Sequence, residues 1–186
     1  MLLVSSLMAQ QSSDSYVFNS ESLVGIEGGY SAFDVEKNQA GTAAEITKYR
    51  KGEIGLKIGA QTENYRLFLS VRNYFVSDYD YFVTYGAEVQ YLFNFSKAAN
   101  FFVGLNGGIL DSRFKVGTEP TSRTLSDPYY GGDIGFNIHT GKYVDIELGG
   151  RIMASQASNT KSGITYKFNN IATGYMSLIF RYQMDE

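Results

Sequence analysis

One segment constrains this chain more than any other. Residues 81–95 carry Tyr81, Val83, Tyr85, Ala87, Val89, Tyr91, Phe93 and Phe95 at the odd positions. Phe82, Thr84, Gly86, Glu88, Gln90, Leu92 and Asn94 lie between them. Side chains alternate across a β-strand, so one face is continuously apolar and the other largely polar or small. The segment also exceeds the roughly five to six residues of an ordinary strand.

Seven further segments repeat the pattern. Residues 23–33 oppose Val24, Ile26, Gly28, Tyr30 and Ala32 to Gly25, Glu27, Gly29 and Ser31. The same alternation is read in 50–60, 65–74, 101–110, 129–138, 143–154 and 171–182. Helical periodicity is nearly absent after residue 20, and the segments are separated by Gly, Asn, Asp and Ser clusters. The connections alternate in length. Those at 61–64, 96–100 and 139–142 are short turns, whereas 34–48 and 111–128 read as long polar loops. Both prolines, Pro120 and Pro128, fall in the second long link, where no ladder hydrogen bond is expected of them.

Composition narrows the class. A length of 186 residues fits one domain. Aromatic residues are 15% and net charge is −3, which argues against disorder and against a basic nucleic-acid binder. With no Cys and one His, disulfides, thiolate chemistry and multi-histidine metal sites are excluded. No cofactor is implied. Mean hydropathy is −0.19, and no run approaches the ~18 apolar residues of a membrane helix. Strands that are apolar on one side only reconcile these figures with a transmembrane β-barrel.

In such a barrel the apolar face meets lipid and the polar face lines the lumen. Two features of the polar face favour this inversion. It carries Gly25, Gly29, Gly55, Gly59, Gly86, Gly104, Gly108, Gly131, Gly135 and Gly149; glycine weakens a solvated strand but makes room inside a narrow barrel. Its long side chains are balanced in charge. Glu27, Glu53, Glu88, Asp133, Asp145 and Glu147 stand against Lys57, Arg66, Arg72, Arg151 and Arg181, as buried charges require. They are expected to form a lumen network. Aromatics gather near the two ends of segment 81–95. Tyr74, Phe75, Tyr79, Tyr81, Phe82 and Tyr85 form one group, and Tyr91, Phe93, Phe95, Phe101 and Phe102 the other. They are expected, with Tyr182, to form two interfacial girdles.

Residues 1–9, an apolar stretch ending at Ala9, read as a secretory signal remnant. Residues 10–21 then form an N-terminal periplasmic segment and 22–186 the barrel. Eight alternating strands, connections short and long by turns, a lumen of glycine and charge, and a signal-like start resemble the small bacterial outer-membrane β-barrel family around the OmpA transmembrane domain and OmpX. The resemblance is architectural and covers about 22–182. It implies an eight-stranded antiparallel up-and-down barrel in the outer membrane, in contact with lipid and lipopolysaccharide. It also implies insertion by the barrel assembly machinery, which reads an aromatic C-terminal strand. Phe180 and Tyr182 match that signal, whereas Ser177 replaces its usual glycine and residues 183–186 overrun its end. No peptidoglycan-binding domain follows, so a tethering role is not carried over.

Catalytic chemistry is not expected. The glycine runs at 25–29 and 131–135 open no helix and so form no phosphate site. His139, the one imidazole, falls in a short turn on the periplasmic side. The expected work is structural or adhesive, through an extracellular ligand bound by the loops at 34–48 and 111–127. A narrow solute channel, a lipid A-modifying enzyme using His139 and a soluble ligand-binding barrel are the alternatives.

Overall fold

The computed structural model describes residues 20–39, 41, 43–114, 123–155, 158–161 and 164–182. The signal-like residues 1–9, most of the 10–21 segment and residues 183–186 lie outside them. The strands are β1 (Glu21–Gln39), β2 (Glu45–Gln61), β3 (Tyr65–Tyr74), β4 (Tyr79–Asn94), β5 (Ala99–Phe114), β6 (Arg123–His139), β7 (Val144–Ser155), β8 (Ser158–Lys161) and β9 (Ile164–Tyr182). Strands β1 to β7 pair in chain order. β7 then pairs with β9, and β9 returns to β1. Eight antiparallel strands thus close into an up-and-down barrel. β8 is a four-residue strand on the start of β9. Closure leaves no free edge within the lipid layer, as a membrane-spanning sheet requires.

The alternation is realised with the polar face inside. Glu27, Lys57, Arg66, Arg72, Glu88 and Arg151 are buried, while Ile26, Leu56, Leu69, Val89, Leu105 and Ile152 are exposed. Leu105 is 74% exposed and Arg66 is 1% exposed. A water-soluble barrel could not sustain that assignment, because its core would be charge and its surface hydrocarbon. In lipid it is the favourable one. Along β4 the outward face is apolar from Tyr85 to Phe93, and Phe95 extends it past the strand end. Ten residues at about 3.3 Å each, tilted by about 40°, rise about 25 Å, the height of an apolar barrel band.

The strands run further than the sequence pattern suggests, chiefly toward the end opposite the short turns. Residues 34–39 continue β1 and 45–48 begin β2; residues 111–114 continue β5 and 123–127 begin β6. The segments read as long loops are therefore mostly ladder. Pro128 lies inside β6, opposite Ile109, rather than in a loop. The β6–β7 ladder starts one residue later, at Tyr129. Among the described residues Pro128 has no ladder partner on the β7 side of β6, the setting in which strands tolerate proline.

Polarity reverses in these extensions. Within the membrane band β1 turns Glu27 and Ser31 inward and Val24 and Ile26 outward. Above it, the same strand turns Phe33 and Val35 inward, while Asp34 and Glu36 are only half-buried. In β2, Lys48 and Arg50 are exposed and Tyr49 is half-buried against the interior cluster. In β9, Phe168 is fully buried next to exposed Lys167. The part of the barrel beyond the lipid thus has the polarity of a water-soluble β-structure. Register irregularities between Phe33 and Val35 and between Tyr79 and Tyr81 fall in this upper region, where bulges commonly reshape a barrel rim.

Candidate functional site: a lumen closed in three layers

The lowest layer is a polar vestibule at the short-turn end, about 490 Å³ in volume and lined by residues including Asn94, Lys97, Asn100, His139 and Arg181. Its floor is a ring of side chains from four strands. Arg66 Nη1 donates to Asn137 Oδ1 at 2.8 Å, and Asn137 Nδ2 to Asn100 Oδ1 at 2.8 Å. Asn100 Nδ2 lies 3.4 Å from His139 Nε2, and His139 Nδ1 lies 2.8 Å from Asp145 Oδ1. Asp145 Oδ2 returns to Arg66 Nη2 at 3.3 Å. His139 is the last residue of β6, not a free turn residue, and its two nitrogens are engaged in this ring. Arg181 stands at the same mouth rather than deep in the lumen; it pairs with Asp145 at 3.3 Å and Glu21 at 3.6 Å.

The middle layer is the charge network. Glu27 on β1 is its hub. It meets Arg72 at 2.7 Å, Lys57 at 3.2 Å and both terminal nitrogens of Arg151 at 2.9 and 3.1 Å, and accepts from Ser177 at 3.3 Å. Glu147 joins Lys57 at 2.6 Å to Arg66 at 3.1 Å. Arg72 also pairs with Glu88. Arg151 lies 3.6 Å from Glu88 and 3.7 Å from Glu53, whose other oxygen accepts from Ser31 at 2.6 Å. Aromatic rings cover the cations. The Arg151 guanidinium is 4.3 Å from the Tyr175 ring centroid, and Lys57 lies 4.9 Å from that of Phe68. Asp133 is buried in the same layer and is held by Gln90 and Asn106.

Glycine makes the layer possible. A Cβ on Gly149 would stand 2.6 Å from the Tyr175 ring, and one on Gly25 would stand 2.9 Å from Lys57 Cγ. The space beside these small residues is occupied by the long ones, as the glycine-rich polar face suggests.

The upper layer is apolar, where the alternation of the sequence predicts a polar lumen. Phe33, Tyr74, Tyr79, Phe82, Tyr129, Met153, Phe168 and Ile171 belong to one buried cluster inside the barrel. Phe82 is its centre, stacked on Tyr74 at 4.6 Å and packed on Phe33 at 5.3 Å and Phe168 at 5.5 Å. Tyr74 and Tyr79, expected in an outer girdle, are therefore interior residues, 2% and 3% exposed. Phe82 and Phe102 are likewise buried inside. The signal was available in the parity of Arg72. A strand that turns Arg72 into the lumen also turns Tyr74 there.

The remaining girdle residues do face outward. Tyr65, Tyr91, Phe93, Phe101 and Phe136 form a continuous chain of ring contacts, 4.7–5.9 Å between centroids, across β3 to β6 at the short-turn end. Phe95 and Tyr182 are exposed at the same end. Tyr85, with Tyr30, Phe75 and Tyr130, is exposed at the other. Tyr81 points outward but is half-covered, with Arg113 over its ring at 5.5 Å.

Closed antiparallel strands, a lipid-facing apolar band and a charged interior define a small membrane-spanning β-barrel. Solved structures agree. The chain superposes on Neisserial surface protein A with a TM-score of 0.58 at 12% identity, covering 87% of this chain and 97% of that one. For the N-terminal β-barrel domain of Pseudomonas aeruginosa OprF the TM-score is 0.55 at 12% identity, with 88% and 98% covered. For the outer-membrane protein AlkL in lipid bilayers it is 0.56 at 11% identity, with 91% and 93% covered. The shared property is the fold. No protein-family model and no curated protein matches the sequence. By fold and by inverted polarity, the chain is a membrane-spanning β-barrel that shares its architecture with these small bacterial outer-membrane barrels.

Proposed function

We propose that the protein is a non-enzymatic display scaffold of the outer membrane, with a structural or adhesive role carried by the strand extensions beyond the lipid. The polarity reversal carries this reading. Phe33, Val35, Tyr79, Phe82 and Phe168 pack inside the upper region, while Lys48, Arg50 and Lys167 are exposed on it. The β1–β2 ladder continues to Lys37↔Glu45, and those two side chains pair at 3.6 Å. A folded, polar-surfaced extension on a rigid barrel presents a fixed surface to a partner with little ordering to lose on binding. The channel alternative is less favoured, because a solute would have to pass the ring at Arg66, the network around Glu27 and the cluster around Phe82. His139 has its ring nitrogens tied to Asn100 and Asp145 at the periplasmic mouth, far from the outer leaflet where a lipid A-modifying enzyme would act.

Two measurements test the proposal. Proteoliposomes carrying the refolded barrel are applied to glycan and extracellular-matrix arrays, alongside a variant in which residues 36–45 are replaced by a two-residue turn. Retention of the intact barrel and loss with the trimmed one, at unchanged heat-modifiability, is the expected result. Equal retention, or none, counts against display by this hairpin. In planar bilayers the protein is expected to show no unitary conductance. Stable, reproducible steps would move the assignment to a channel.

A further inference from the structure

Beyond the lipid, one strand of the wall stops short. β3 ends at Tyr74, opposite Glu53, and Phe75 N donates to Gly52 O at 2.9 Å. β2 runs past that point to Glu45 and stays paired with β1 throughout. Among the described residues no strand pairs with the other side of β2 over 45–51. The main-chain groups on that side can be assigned. In an antiparallel ladder both groups of a residue point to one side, and the side alternates along the strand. Gly52 O faces the β3 side, so Arg50, Lys48 and Ile46 face it too. Their N–H and C=O groups line an open strand edge. One of them, the Arg50 carbonyl, accepts from the Tyr30 hydroxyl at 3.4 Å. Their side chains lie on the outer surface, and all three residues are exposed.

An open edge is a template for a further strand, and its charge selects which strand. Lys48 and Arg50 flank the open groups, and Lys51 follows them. In the β1 ladder Ala32 stands opposite Arg50 and Ser31 opposite Lys51; Lys48 has a carboxylate, Asp34, opposite it. Glu45, at the tip, is paired with Lys37 at 3.6 Å. A second copy of this edge would set Lys48 or Arg50 against another cation, and like charges directly opposite destabilise a strand pair. Lysine on an open edge guards against self-association in this way. A strand with carboxylates at alternate positions meets the opposite condition: its acids fall on one face, beside Lys48 and Arg50.

We propose that the β2 edge at Ile46, Lys48 and Arg50 binds an extended acidic segment of an external protein as an added strand. This rests on the display reading above and names the class of partner. Main-chain hydrogen bonds hold the segment, and the side chains opposite Lys48 and Arg50 select it.

The test refolds the full chain in detergent and titrates it into a fluorescently labelled octapeptide alternating glutamate with valine, read by anisotropy. A lysine-for-glutamate counterpart and a fully N-methylated copy are the controls. Amide hydrogen exchange at Ile46, Lys48 and Arg50 is followed by NMR in the same samples. The glutamate peptide is expected to bind at least about tenfold more tightly than either control and to slow exchange at those amides. Ile46→Pro removes one edge N–H without touching charge or the β1 ladder, and is expected to weaken binding about tenfold at unchanged heat-modifiability. Lys48→Glu combined with Arg50→Glu is expected to turn the preference to the lysine peptide. Equal binding of the N-methylated copy, or equal binding by the Ile46→Pro barrel, would reduce the effect to diffuse surface charge and overturn the proposal. Binding of neither charged peptide would overturn it too. Array retention that persists in Ile46→Pro without peptide binding would remove the edge site alone and leave display by the hairpin standing. If Ile46→Pro does not fold, the N-methylated copy and the exchange data decide.

Discussion

Replacing Glu27 by Gln removes the charge on which three buried cations converge. Arg72, Lys57 and Arg151 all lie within 3.2 Å of its carboxylate, and Glu27 itself is 3% exposed. Removing one member of a buried ion pair typically costs about 3–5 kcal/mol, because the partner is left desolvated and unpaired. Here the cost does not triple. Lys57 keeps Glu147 at 2.6 Å, Arg72 keeps Glu88, and Arg151 keeps Glu88 and Glu53 at 3.6 and 3.7 Å. Each cation retains a carboxylate, so the loss belongs at the lower end, about 3 kcal/mol, or roughly a hundredfold in the unfolding equilibrium. The chain has no Trp, so urea unfolding from lipid vesicles is followed by circular dichroism and by the unboiled gel band. Glu63→Gln, on an exposed turn residue, is the control and should change nothing measurable. A Glu27→Gln loss below about 1 kcal/mol, the range of solvated surface pairs, would refute the picture of a dry, interlocked middle layer. The variant is also expected to stay non-conducting, since the Phe82 cluster still closes the lumen above it.

Other substitutions separate the faces and the zones. Gly149→Ala, whose Cβ would meet the Tyr175 ring at 2.6 Å, should destabilise by about 1–3 kcal/mol through overpacking. Gly174→Ala, on the lipid face with nothing within 4 Å, should be neutral or stabilising by about 0.5 kcal/mol; the reverse order in urea titrations would invert the barrel. Leu105→Arg, at the centre of the lipid-facing band, should cost about 2–4 kcal/mol. Ile46→Arg, equally outward but on the extension, should stay within about 0.5 kcal/mol; equal costs would place both residues in one medium. Phe82→Ala should cost about 3–5 kcal/mol and speed proteolysis of the extension in intact vesicles. A protease-resistant extension would show that the aromatic layer does not hold it.

Period-2 alternation made the barrel legible because one medium, lipid, faces the outside of every strand over most of its length. The buried charges followed from the same parity, down to Glu27, Lys57 and Arg72. Legibility failed where the medium changes. Beyond the membrane the alternation persists in β1 and β2 with its sign reversed. Asp34, Glu36, Lys48 and Arg50 then dominate the composition, and the strands look like polar loops. Tyr74 and Tyr79 lie inside rather than in a girdle for a related reason. Aromatic crowding at a strand end fits a girdle, and only the parity set by Arg72 distinguishes an interior tyrosine. The paired network at Arg66, Asn137, Asn100, His139 and Asp145 joins residues up to 79 positions apart. No local pattern could have specified it.

The reversal also bears on why so charged an interior exists at all. Buried ion pairs are weak evidence of stability, since well-packed apolar replacements often do as well. In lipid, however, a strand apolar on both faces has no preferred register. A one-residue slip would exchange two equivalent surfaces. Putting Glu27, Lys57, Arg66 and Arg151 on one face makes that slip carry charge into hydrocarbon. Above the membrane the outside is water, the penalty for a slip is set by apolar exposure instead, and the interior can be Phe33, Phe82 and Phe168. Each zone therefore buries whatever its surrounding medium would reject. The switch from charge to aromatics, near Ser31 on β1 and Lys51 on β2, marks the upper boundary of the lipid.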